Sequence, residues 1–185
     1  MGKPKRDLLR ANVEKARDEQ QEASEQFKDA LTQLQELYQF DGGELERKYR
    51  QFNNAYEDCA AKAKTINKRI ADVKQVAEDL FAEWEEEIQE ISSTSLRASS
   101  AQKLEATQVR YNNLYAALTE SESKMEPVLT QLNDQVLYLK HNLNAQAIGA
   151  LENEFSVIEG DILGLIEEMN KSIEEANSFI STMPL

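Results

Sequence analysis

The sequence predicts an all-α protein: an elongated antiparallel coiled-coil bundle of four long helices, with an overhanging hairpin made by helices two and three. Three observations predict it. Apolar residues recur at alternating steps of four and three along most of the 185 positions, the spacing that packs helices with a left-handed twist. Only 6 Gly and 3 Pro interrupt the chain, whereas a β-sandwich or barrel needs a turn about every 8–12 residues. Ala, Glu, Lys, Leu and Arg supply 86 of the 185 residues, the composition of long helices.

Breaks in the pattern divide a single domain, residues 1–185, into four segments near 6–40, 44–92, 97–141 and 145–182. Asp41-Gly42-Gly43 is a turn signal. Ser92-Ser93-Thr94-Ser95 is a cluster where helix formers give out. Asn144 is a helix cap, and Leu143 and Ile148 flank it in the staple arrangement that fixes the entry of a new helix.

The first segment reads Leu9, Val13, Ala16, Gln20, Ala23, Phe27, Ala30, Leu34 and Leu37. The second runs from Leu45 through Phe52, Tyr56, Cys59, Ile66 and Val73 to Ala77, then resumes one residue out of phase at Phe81, Trp84, Ile88 and Ile91. The third runs from Leu104 through Tyr111, Leu118, Ser121, Met125 and Gln135 to Leu139. The fourth runs from Leu151 through Ile158, Leu165, Ser172 and Phe179 to Met183. Second stripes widen two of these faces (Leu129, Val136 and Leu143; Ile166, Ile173 and Ile180), as helices with more than one neighbour require. Pro127 should kink the third helix, because its ring clashes with the carbonyl of Ser123, but the apolar register continues across it.

Short turns near 41–43 and 142–144 place neighbouring helices antiparallel, with both turns at one end, the base. At about 1.5 Å per residue, helices one and four climb roughly 50–55 Å and helix two roughly 72 Å. The hairpin of helices two and three then overhangs by roughly 20 Å, over residues near 80–108. Ala98, Ala101 and Leu104 are expected opposite Phe81, Trp84 and Ile88.

The net charge of −13 argues against phosphate backbones and anionic membrane as main partners. The excess is local: residues 78–90 hold seven acids and no base, and residues 141–185 hold eight acids against Lys171. No apolar run is long enough to span a membrane, and the sequence carries no signal peptide.

No catalytic, cofactor or metal site is expected. A di-metal carboxylate bundle needs two Glu-x-x-His pairs, and His141 is the lone histidine. Cys59 lies in the seam about 22 Å above the base, too far to meet His141, and reads as a buried small hydrophobe. Glu83, Glu85, Glu86, Glu87 and Glu90 splay around one helix and read as a solvated face. The basic start Lys3-Pro4-Lys5-Arg6 reads as a solvated tail. Gly149, Gly160 and Gly164 suggest close helix contact.

Several runs resemble a known family: EKARDEQQEASEQFKDAL, FDGGELERKYRQFNNAYED, SLRASS, KMEPVL and DQVLYLKHNLNAQAI. They are similar to the bacterial domain-of-unknown-function family twenty-nine fifty-nine, from about Asp7 to Met183. The resemblance implies an exported or lipoprotein-like protein of the envelope or periplasm. It also implies an N-terminal lipid tether that this sequence, starting after the leader would end, does not carry. It brings no activity and no catalytic residue.

The leading expectation is a non-enzymatic scaffold or adaptor of the bacterial cell envelope, without cofactor, that meets a protein partner and no nucleic acid. Assembly with further copies of itself stays open. The alternative is a binding module for a cationic or small apolar ligand held between helices. The expected partner contact is the hairpin tip at Phe81, Trp84 and Ile88, where a two-helix segment is too thin to bury them fully. The competing reading is that Trp84 only seals the hairpin.

Overall fold

A computed structural model describes residues 4–39 and 44–183. It consists of five helices: α1 (Lys5–Gln39), α2 (Leu45–Glu90), α3 (Thr94–His141), α4 (Ala145–Glu152) and α5 (Phe155–Thr182). No strand occurs among the described residues, so the protein is all-α. The turn expected at 41–43 lies outside them. No helix is long and apolar enough to cross a membrane.

The seam read from the sequence is the buried core. All nine seam positions of α1, from Leu9 to Leu37, are buried, as are Phe52, Cys59, Ile66 and Val73 of α2. Leu114, Leu118 and Leu132 of α3 join Ile162, Leu165 and Met169 of α5 in the same core cluster. Helices α1 and α3 each pack on both α2 and α5, while α4 touches α1 and α3.

Polar ties give the direction of each pairing. Lys5 pairs with Glu83, Lys62 bridges Glu19 and Glu22 at 2.7 and 2.5 Å, and Lys48 reaches Glu36 at 3.3 Å. Position therefore falls along α2 as it rises along α1. Lys124 meets Glu168 at 3.2 Å and Gln131 meets Asp161 at 2.7 Å, so α3 and α5 also run in opposite senses.

Two helix ends follow the caps. The Asn144 side chain accepts from Ala147 N–H at 2.9 Å and starts α4, with Ile148 buried behind it. Ser93 accepts from Leu96 N–H at 3.3 Å. This starts α3 at Thr94, three residues before the expected boundary. A side-chain cap is available inside the polar cluster, and the chain uses it. Helix α3 continues through Pro127 without interruption.

The fourth segment differs from expectation. It is not one helix over 145–182 but two, parted at Asn153-Glu154. Both residues stay near helical dihedrals, and Glu154 N–H donates to Leu151 O at 3.0 Å, an i→i+3 bond that tightens the turn. A chain of side chains holds the joint. Tyr38 OH donates to Gln135 Oε1 at 2.5 Å, and Gln135 Nε2 donates to Glu154 Oε2 at 3.1 Å. The Tyr38 ring meets Phe155 edge-on at 5.3 Å.

The expectation of close helix contact at the glycines is overturned. A Cβ added at Gly149, Gly160 or Gly164 would meet nothing within 4 Å. None has positive φ, so these residues weaken their helices without enabling an approach. Gly160→Ala is therefore expected to raise stability by about 0.4–1 kcal/mol, measured by urea denaturation.

The core also holds polar seam residues. Ser121 Oγ donates to Gln20 Oε1 at 3.0 Å across the interior, both residues being fully buried, and Gln20 Nε2 has no partner. Ser121→Ala should cost about 1–3 kcal/mol, because it leaves the Gln20 carbonyl unpaired as well. The double variant Gln20→Leu/Ser121→Ala should recover most of that loss, and the same denaturation series checks both.

Candidate functional site

At 1.5 Å per residue α1 is about 52 Å long and α5 about 42 Å, against about 70 Å for α2 and α3. One end of the α2/α3 hairpin therefore carries on without cover. The covered part reaches further than the lengths predict, because Lys5 extends to Glu83, and Phe179, Thr182 and Met183 share a cleft with Trp84. The free hairpin runs from about Glu85 through the turn at 91–93 to about Gln102, rather than over 80–108.

Each residue expected at the tip has a definite place. Phe81 is half-buried and meets the Tyr111 ring edge-on at 5.5 Å, and Tyr111 stacks on Tyr115 at 5.9 Å. Trp84 is half-buried, and its Nε1–H donates to Ser100 Oγ at 2.8 Å. Ile88 is buried, and lines one side of the hairpin with Ala101 and Leu104. The partners differ from expectation for the first two, since Phe81 meets an aromatic ring and Trp84 a hydroxyl, while Ala98 is exposed.

Sequence reasoning missed Arg97. Its guanidinium folds back over the turn and donates to Ile91 O at 3.1 and 2.8 Å and to Gln89 O at 3.5 Å. These carbonyls end α2 and have no intrahelical donor, so a cation at that point also complements the negative helix end. The pair Ser93 and Arg97 thus fastens both helix ends of the hairpin. Beyond them Leu96 is left 63% exposed, and Glu85, Glu86, Glu87 and Glu90 surround the stem in water.

Beneath the tip lies a cleft of about 760 Å³, at the level where α1 begins and α5 ends. Helix α2 presents Leu80, Glu83, Trp84 and Glu87 to it, and α3 presents Lys103, Ala106, Thr107 and Arg110. Both sets follow the i, i+3, i+4, i+7 pattern of a single helix face. Each is the stripe that α1 or α5 would cover if those helices were longer. The sequence signal was there in the spacing of Lys103 and Arg110, but it gains meaning only once the neighbouring helices are known to stop.

Comparison with known proteins is consistent with the silence of the sequence about chemistry. A family model described as protein of unknown function (DUF2959) matches residues 1–183. No curated protein and no solved structure matches.

Residue chemistry outside the tip has to be read from surroundings. His141 is exposed at the last residue of α3. Among the described residues, no group of three or more His, Cys, Asp or Glu is placed to hold a metal ion. Cys59 is fully buried, and burial first, then the charges of Asp58 and Asp29, pushes its thiol from 9.0 up to about 12. Such a thiol is not a nucleophile at neutral pH, and a linkage effect follows. Above pH 9 the unfolded chain ionises this thiol while the folded chain keeps the proton, so stability falls as pH rises from 9 toward 12. Between pH 9 and 11, wild type is expected to lose stability faster than Cys59→Ala, by at most about 1.4 kcal/mol per pH unit, in denaturation curves taken across that range. At pH 8 the native thiol should resist a disulfide reagent that reacts at once with the unfolded chain.

Proposed function

The chain belongs to the DUF2959 family of proteins of unknown function, and from that premise we propose a non-enzymatic helical scaffold or adaptor of the bacterial cell envelope. Its working form is an elongated antiparallel coiled-coil bundle of four long helical arms, the fourth formed by α4 and α5. The observation that carries this reading is the difference in length: α2 and α3 outlast α1 and α5 and project as a bare hairpin. A bundle with only a stability role has no use for two uncovered helical arms. The envelope assignment is supported by the resemblance over Asp7 to Met183 alone.

The partner contact is the end of the hairpin. Trp84 and Phe81 form its half-buried root, Ile88 its sealed core, and Leu96 its exposed apolar point. The surrounding carboxylates favour a basic partner and orient it. The alternative reading is a module that binds a small ligand between helices, and the cleft beneath the tip is the place for it. Its unpaired charges are basic, which disfavours the cationic ligand considered from the sequence.

A photo-crosslinking residue placed at Leu96 is expected to capture a protein partner in cells, while the same residue at exposed Leu137, far from the tip, captures none. Capture at Leu137 with none at Leu96 would sink the tip assignment. Trp84→Ala separates contact from sealing. If capture is lost while the melting temperature barely moves, Trp84 belongs to the interface. A large drop in melting temperature, with capture intact wherever the variant stays folded, makes it a seal.

A further inference from the structure

The cleft at the root of the hairpin has a charge pattern opposite to that of the molecule. Four bases stand on it, Lys5, Arg6, Lys103 and Arg110, against two acids, Glu83 and Glu87. Lys5 takes up both acids: it is paired with Glu83, and Glu87 lies close enough to help hold its charge. Arg6, Lys103 and Arg110 make no ion pair among the described residues. In a chain of net charge −13, a cleft lined by four bases and two acids is a local reversal of sign.

The floor between those cations is apolar. Leu80 and Trp84 supply it from α2, with Phe179 of α5 and Met183 just past its end beneath them. Phe179 is 2% and Met183 8% exposed, so the core closes beneath the cleft and the open apolar surface comes from half-buried Leu80 and Trp84. Lys103 and Arg110 stand two turns apart on one face of α3, about 10 Å along the axis. The start of α1 and the end of α5 bring opposite helix-dipole ends to the same rim, and these offset each other. Selection by charge therefore falls to the side chains. The volume of about 760 Å³ is within the range of small-molecule sites.

We propose that this cleft binds an anionic amphiphile, a molecule with one carboxylate or phosphate head held among Arg6, Lys103 and Arg110 and a short apolar tail laid on Leu80 and Trp84. A purely apolar ligand would gain nothing from the three solvent-exposed cations, and a bare anion would gain nothing from the open apolar surface of Leu80 and Trp84. The inference develops the small-ligand alternative and shares Trp84 with the tip contact, so its variants are placed at Lys103 and Arg110, away from that contact.

Trp84 is the sole tryptophan and lies in the cleft, so its emission reports binding directly. The full chain is titrated with decanoate, decyl phosphate, decanol and inorganic phosphate, all below micelle formation, with stoichiometry taken from calorimetry. The two anionic amphiphiles are expected to saturate one site, and whichever binds more tightly identifies the head group. Decanol and inorganic phosphate should bind at least about tenfold more weakly, because each lacks one half of the recognition. Lys103→Gln/Arg110→Gln should weaken decanoate by about tenfold or more and leave decanol unchanged, with helicity intact by circular dichroism. Equal affinity for decanol and decanoate, equal affinity for inorganic and decyl phosphate, or no saturable site would overturn the proposal. If the double variant does not fold, the four-ligand comparison on wild type decides alone.

Discussion

A narrow apolar seam, one to two residues wide on each helix, is the constraint on which this structure depends. With hydrophobic residues at 41% and charged residues at 30%, no helix here can bury itself alone. Long isolated helices in water gain little from propensity, and most helical stability comes from packing an apolar face. The seam provides that packing only when the helices lie side by side in register along their shared length. Wherever one helix ends, its neighbours lose cover. The bare hairpin and the cleft beneath it are both consequences of that single dependence.

Polar residues inside the seam fix which register is chosen. A continuous apolar stripe tolerates sliding by a heptad, because each step presents a similar surface. Gln20 can meet Ser121 at only one offset of α1 against α3, and Gln135 can join Tyr38 to Glu154 at only one. A slipped bundle would strand Gln20, Ser121 and Gln135 without partners in the interior, where each costs about 1–3 kcal/mol. Buried polar positions are well attested as devices for specifying register, at some cost in stability. Gln20 Nε2, buried and unpartnered, is the visible part of that cost.

Much of this was legible in the sequence, and the failures share one cause. The seam could be read because its period is local: Leu9 to Leu37 follow four-three spacing, and every one is buried. Asn144 could be read because a cap acts on residues a turn away. The joint at Asn153-Glu154 could not, since the apolar register crosses it and the groups that hold it come from Tyr38 and Gln135 on other helices. In α2 the sequence put Tyr56 in the seam, whereas Ala55 is the buried residue and Tyr56 lies half-buried at its flank. The glycines misled because small-residue spacing signals close approach only if a neighbour is present on that face. Of the tip, its existence was legible, but Ile88, expected on a segment too thin to bury it fully, is buried between the two arms. The roles of Arg97 and Tyr111, and the cleft itself, depend on which chains end at which height.

Pro4 and Met183 line the same cleft, so the described chain begins and finishes at one pole of the bundle. This has a mechanical consequence. A pull applied between those two points acts across the helices and peels α1 from α5 one layer at a time, beginning at the cleft. A pull between the hairpin turn and the opposite pole runs along the helix axes and loads the whole seam in shear. Peeling breaks few contacts at once, and shear must break many together. The molecule is thus compliant to a load across its two ends and stiff to one along its length, as a strut would be.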